Sequence, residues 1–259
     1  MDKSIYVALN AMQSLQVDMR SHAQNLANIS VPGYKTDLRS YRGSTYLETE
    51  NTLTTRAYQR GQANNQFDAT GGTQKRTDRP LDVAILGDGY FFISDNKNNQ
   101  YLSRRGDFQL SKSKELGETQ SYLVDGAGAK ILDNQLKPIV LPNYSHIVIS
   151  ELGEIFVELP EAENGERTKV AVIGTVKDPK IPLQKSLTGA IEPLPGTKLP
   201  QPDQGAKLSQ AFLEGSNVSS INELVYTLDN QRRIEMVTKF VKTAKEIDES
   251  GAKLMRPAN

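Results

Sequence analysis

The sequence contains no cysteine, no tryptophan and only two histidines, and neither sign of charge is in excess, with 31 Lys plus Arg against 31 Asp plus Glu. Each absence excludes something. Without cysteine there is no disulfide, no thiolate metal site and no thiol nucleophile. A balanced chain lacks the clustered positive charge that phosphate backbones and anionic membranes require, so no nucleic-acid partner is expected. No window approaches the ~18 consecutive apolar residues of a membrane span. Met1-Asp2-Lys3-Ser4 lacks the basic stretch and following apolar run of a cleavable secretory signal. On composition alone the chain reads as soluble and cytoplasmic. His22 and His146 stand far apart, one on an apolar helical seam and one before a strand-like run. Those settings favour structural roles over metal binding or general-base work.

What is present is patterned. In residues 1–32, Ile5, Met12, Met19 and Leu26 recur every seven positions, and Ala8, Leu15, His22 and Ile29 follow three behind. This heptad predicts a helix with a narrow apolar seam. Val31-Pro32-Gly33 ends it, because Pro32 disfavours helical geometry at Val31 and Gly33 permits a turn. Residues 33–79 are polar, with aromatics too sparse for a core, and read as an extended arm or loose hairpin ordered against something else. Residues 206–259 return to helix. Ser219 or Ser220 offers a cap, with Glu223 as a capping-box acid if Ser220 is the N-cap. Ile221, Leu224, Val225 and Leu228 lead to a polar interruption at Asp229–Arg233. A second heptad follows, with Val237, Ala244 and Gly251 joined by Phe240, Ile247 and Leu254.

The middle is different. From Leu81 to Val176, short β-prone runs such as Leu81–Ile85, Gly89–Ser94 and Glu154–Leu159 alternate with turn pairs such as Asp125-Gly126 and Leu152-Gly153. That spacing predicts a mainly antiparallel β domain over 80–178. Six of the twelve prolines fall in residues 179–202, so 179–205 reads as an irregular connection without a helix or central strand. The fold class is therefore α+β, with terminal helices pairing in coiled-coil fashion around an inserted β domain and an arm.

Chemistry-bearing constellations are scarce. Gly126-Ala127-Gly128-Ala129-Lys130 lacks the Walker spacing and reads as a β-turn. Asp95-Asn96-Lys97-Asn98-Asn99 resembles a calcium loop, but Lys97 stands where an oxygen ligand is required, so a hairpin tip is expected. Glu151, Glu154, Glu158, Glu161 and Glu163 form a charged strand-and-turn surface with no partner to make them a catalytic pair. No catalytic residue, metal ligand or cofactor is expected.

Particular strings carry a resemblance. Asn25-Leu26-Ala27-Asn28-Ile29-Ser30-Val31-Pro32-Gly33-Tyr34-Lys35 resembles the signature at the end of the first helix of flagellar axial proteins, the rod, hook and hook-associated subunits. Arg79–Ile85, Gly87–Phe91, Tyr101–Phe108, Leu213–Val218, Glu223–Val225 and Arg232–Met236 are similar to further family segments in the same order. Within the flagellar basal-body rod family the resemblance is to the proximal rod branch, with a distal rod or hook-type subunit as the alternative and a cell-wall-binding module as a third reading. It implies a structural subunit exported without a cleaved signal by the flagellar type III apparatus. Such a subunit assembles helically with other rod and hook axial proteins, or with itself, in a shaft that crosses the periplasm and passes torque to the hook. That location replaces the cytoplasmic one. Assembly contacts are then expected at Ile5, Met12, Leu15, Met19, Asn25, Leu26, Asn28, Pro32, Gly33, Leu224, Val225, Leu228, Val237, Phe240, Ala244 and Ile247.

Overall fold

The computed structural model describes residues 2–38, 42–46, 57–61, 66–112, 120–160, 165–186 and 189–254. The chain divides into two compact units. One holds residues 1–27, 37–64 and 219–259, and the other holds residues 28–36 and 65–218. The class is α+β, with antiparallel sheets throughout the described pairings.

The helical unit contains α1 (Asp2–Ala27), α2 (Ser220–Leu254) and a hairpin of β1 (Arg42–Tyr46) with β2 (Ala57–Gly61). The helices pack on each other, and the hairpin contacts α1. Their chains run in opposite directions, since His22 near the end of α1 meets Glu223 near the start of α2. The seam of α1 is centred on Ala8, Leu15 and His22, which are buried, while Ile5, Met12 and Met19 flank it half-buried. α2 runs unbroken through Asp229–Arg233, so the polar interruption is a change of surface and not of backbone. Ser219 is the N-cap, with its hydroxyl reaching the Asn222 amide, and Glu223 spends its carboxylate elsewhere.

The β unit contains sixteen strands among the described residues. They are β3 (Gln74–Arg76), β4 (Val83–Leu86), β5 (Tyr90–Ser94), β6 (Gln100–Ser103), β7 (Gln109–Lys112), β8 (Gln120–Val124), β9 (Lys130–Ile131) and β10 (Val140–Pro142). Then come β11 (His146–Ile149), β12 (Glu154–Glu158), β13 (Arg167–Val172), β14 (Thr175–Val176), β15 (Leu183–Lys185), β16 (Ile191–Pro193), β17 (Lys207–Gln210) and β18 (Phe212–Glu214). The largest sheet has the order β10-β8-β9-β5-β6-β16-β15, with β14 on β5 and β7 on β8. A three-stranded sheet, β11-β12-β13, and the pairs β17-β4 and β18-β3 complete it. Strand alternation places Ile155 and Val157 inward between Glu154, Phe156 and Glu158. The main core gathers Val83, Ile85, Phe91, Phe108, Leu123, Ile131, Ile155 and Ile173, all essentially inaccessible. A smaller cluster holds Phe92, Leu102, Leu132 and Ile191.

The Pro-rich stretch differs from its sequence reading, because it carries β15 and β16, and β16 lies between two neighbours. Pro182 precedes the first strand and Pro193 sits at the last position of the second, opposite Leu183, so proline is confined to the end of the ladder.

One turn recurs five times and explains how so many short strands connect. Asp95, Asp125, Asp133, Ser150 and Ser186 each open a hairpin in which their amide donates to the carbonyl four residues on, and their carbonyl accepts from the amide three residues on. The third-on residue has positive φ in every copy, namely Asn98, Gly128, Leu136, Gly153 and Gly189. The three aspartates add carboxylate bonds to the amides two and four ahead, as from Lys97 and Asn99 to Asp95. This is a type I turn closed by a residue in the left-handed region, reinforced by an Asx cap. The calcium-like and phosphate-loop-like strings are both copies of it. Asp125 is buried enough that its carboxyl is pushed up from the usual range, although the amides of Ala129 and Ala127 pull it down.

Candidate functional site

Two polar networks and one apolar face hold the residues that the sequence singled out. The first network lies in the helical unit. Nδ1 of His22 is 2.5 Å from Oε2 of Glu223, and the Asn25 side-chain amide donates to Oε1 of the same carboxylate at 3.0 Å. Asn25 also accepts from the Asp37 amide and donates to the Asp37 carbonyl, which pins the chain beyond α1. The His22 ring stacks on Tyr226. His22, Asn25 and Glu223 are all nearly inaccessible. The network therefore fixes the α1–α2 pair from within, and Asn25 of the signature is a fastening inside the unit.

The second network lies in the β unit and joins three of the resemblance strings. Val31-Pro32-Gly33-Tyr34 is a β-turn closed from the Tyr34 amide to the Val31 carbonyl, with Gly33 at φ 66°. A side chain at Gly33 would collide with the Arg104 backbone, its Cβ lying 2.1 Å from the carbonyl oxygen. The turn delivers Lys35 into the interior. Its ammonium donates to Oε1 of Glu214 at 2.8 Å and to the Thr70 carbonyl at 2.6 Å. Arg104 pairs with Oε2 of Glu214 at 2.6 Å and donates to the carbonyls of Gly87 and Gly89. Burial lowers the Lys35 pKa below the usual lysine value, while the bond and charge of Glu214 oppose that shift. Lys185 donates to the Lys35 carbonyl and lies 3.5 Å above the centre of the Tyr34 ring. Asn217 accepts from the amide and hydroxyl of Thr36 and donates to the carbonyls of Asp68 and Thr70. Beside this network, Asp88, Tyr90, Arg104, Lys177, Asp178 and Leu183 line a shallow cavity of about 190 Å³.

The third feature is a surface. The side of α2 that meets α1 carries Glu223, Asn230 and Ala244, which are buried, with Thr227, Ile234, Val237, Val241 and Gly251 half-buried. These recur at alternating spacings of three and four. Ile221, Leu224, Val225, Leu228, Met236, Phe240 and Ile247 face outward, 48–74 % exposed. At 100° per residue Ile221, Val225, Leu228 and Met236 lie across the helix from the seam, while Leu224 flanks it on one side and Phe240 and Ile247 on the other. α2 thus mixes Glu223, Thr227 and Asn230 with Ile234, Val237, Val241 and Ala244 on the side of its partner helix, and leaves several of its largest apolar groups in solvent.

Of the expected contact residues, the structure places Leu15, Asn25, Gly33 and Ala244 in the interior. Ile5, Met12, Met19, Asn28, Pro32 and Val237 are half-buried, and Leu26, Leu224, Val225, Leu228, Phe240 and Ile247 are exposed. Lys35, Arg104 and Glu214 were not distinguished by the sequence, although each lies in a quoted string. Among the described residues no helix is long and apolar enough to cross a membrane.

Comparison with known proteins bears on both ends of this geometry. Residues 84–157 match the family model described as the flagellar hook protein FlgE/F/G D1 domain, and residues 209–254 match that of the flagellar basal body rod FlgEFG protein C-terminal region. The chain is 28% identical over 256 residues to the flagellar basal-body rod protein FlgF of Salmonella typhimurium, spanning 95% of each chain. It is 27% identical over 262 residues to the flagellar basal-body rod protein FlgG of Borreliella burgdorferi, spanning 94% of this chain and 95% of that one. With FlgF of Caulobacter vibrioides it shares 24% over the whole of both.

Proposed function

We propose that the chain is a member of the flagellar basal-body rod protein family, that it occupies the proximal rod and that it joins neighbouring axial subunits through the exposed apolar residues of α2. It is a structural subunit of the flagellar basal-body rod, in association with other axial flagellar proteins. The proximal assignment is supported by the similarity to proteins named FlgF, and a distal position by the similarity to those named FlgG. The single observation that carries the assembly reading is the set of large apolar residues that α2 leaves exposed, Leu228, Met236, Phe240 and Ile247 among them. Several large apolar side chains left in water on one helix are a liability unless something covers them. In a helical shaft, head-to-tail contacts between non-identical faces supply that cover repeatedly.

On this reading the α1–α2 pair is a coiled-coil-like element, completed by neighbouring helices into a shared bundle. Export through the flagellar type III apparatus without a cleaved signal, passage across the periplasm and contact with other copies of this chain belong to the same reading. The protein works mechanically and turns over no substrate. Phe91, one aromatic that would serve a carbohydrate-binding alternative, is wholly inside the core, and Tyr90 is nearly so.

The test uses purified hook–basal bodies from strains carrying Leu228→Asp or Phe240→Asp. Each variant subunit is expected to fold in isolation, to be absent from basal bodies and to abolish motility. A motile strain with the variant present in its basal bodies would refute the assignment of this face. Crosslinking of neighbours in wild-type basal bodies separates a proximal from a distal position.

A further inference from the structure

We infer that Lys35, Arg104, Glu214 and Asn217 form a clasp that carries tension between the two passages of chain into and out of the β unit. The first passage is residues 28–36 and the second is residues 211–218, both within that unit. Their contacts advance in the same direction along both segments. The Gly33 amide donates to the Glu214 carbonyl at 2.7 Å, the Asn217 amide to the Tyr34 carbonyl at 3.3 Å, and the Thr36 amide to the Asn217 side chain at 2.7 Å. The segments therefore run parallel. Tension on the first passage pulls toward lower residue numbers, and tension on the second pulls toward higher ones. Parallel segments pulled in those senses slide past each other, so every bond between them is loaded together. An antiparallel pair pulled likewise would open one bond at a time.

The clasp is also tied to the sheet behind it. Arg104 follows β6, pairs with Glu214 and holds the turn between β4 and β5 through the carbonyls of Gly87 and Gly89. Lys185 at the end of β15 holds the Lys35 carbonyl and the Tyr34 ring. Sliding the segments would separate Lys35 and Arg104 from Glu214 and leave charges buried without partners, the costly outcome for an interior ion pair. A pair retained at that cost for hydrophobic stability alone is poorly explained, whereas resistance along one direction explains its placement.

This inference deepens the structural reading by naming the residues that meet the load, yet its test needs no assembled rod. The chain lacks cysteine, so thiol handles can be placed singly in the full-length protein. One pair, Ser30→Cys with Ser220→Cys, pulls across the clasp. A second pair, Asn134→Cys with Glu166→Cys, pulls on exposed loops of the β unit across a segment that holds no clasp residue. Glu214→Gln is expected to raise the unfolding rate under load on the order of a hundredfold with the first handles, and to leave the second geometry unchanged. Asn217→Ala, which keeps the buried charges paired, is expected to act in the same direction with a smaller effect. It carries the test if Glu214→Gln does not fold. An unchanged rate across the clasp, or equal weakening in both geometries, would overturn the proposal. Neither result would touch the assignment of the α2 face, which is read from basal bodies.

Discussion

The two units differ in where their large apolar residues lie. The β unit encloses Phe91, Phe92, Phe108, Leu123, Ile131 and Ile155 completely, beside the buried ion pairs of Lys35 and Arg104 with Glu214. The helical unit encloses Ala8, His22, Asn25, Glu223, Asn230 and Ala244, and leaves Leu224, Val225, Met236 and Phe240 outside. Apolar area removed from water is the chief source of stability, at about 25 cal/mol per Å². By that measure the β unit draws more of its stability from its own core, and α2 leaves more apolar area in water.

The comparison can be broken first at the β core. Phe91→Ala, which deletes a fully buried ring packed against Phe108, is expected to cost about 3–5 kcal/mol. Denaturant unfolding of the full chain measures it, and a loss below about 1 kcal/mol would show a looser core than the packing implies. Next is the helical unit. Glu223→Ala removes the acceptor shared by His22 and Asn25 and is expected to cost about 1–3 kcal/mol. The loss should appear as faster amide exchange in α1 and α2, with β5 and β6 unaffected.

A pH dependence sharpens the account of the second network. Burial lowers the Lys35 pKa in the folded protein, so between that lowered value and the ordinary lysine value the unfolded chain binds more protons. Stability from this group therefore rises with pH through that alkaline window. Lys35→Met is expected to remove the rise, and an identical alkaline stability slope in the variant would contradict the burial-dominated shift. The smallest expected effect is at Asn98, exposed and at φ 61° in the first of the recurrent turns. Asn98→Gly is expected to stabilise the β unit by a few tenths of a kcal/mol at most, because glycine relieves the left-handed backbone but loosens the unfolded chain.

Much of this was legible in the sequence, and the limits have physical causes. The heptads gave both helices, because period-seven spacing survives without knowledge of the partner. They did not give the buried face of α2. Val237 and Ala244 lie on it, but Phe240 and Ile247, three residues behind, face water, while Ile234 and Val241 take the inner positions. Offsets of three and four are both compatible with a helical period of 3.6, so the side chosen depends on the partner. The β unit was legible from its alternation and turn pairs. Its strands in the Pro-rich stretch were not, since β15 and β16 are three residues each and carry no periodic signal. Lys35 and Glu214 are 179 positions apart, and nothing local marks a charged residue as buried. Their strings were visible through the family resemblance, whereas their meeting is a property of the fold.

Hydrogen exchange on the isolated full-length subunit tests the central contrast most directly. Amides of β5, β6 and β12 are expected to exchange only through global unfolding, and those of α1 and α2 orders of magnitude faster through local opening. In purified basal bodies α2 should become as protected as the β unit. Equal protection of helices and sheet in the isolated subunit would contradict the view that its ends are completed by their neighbours.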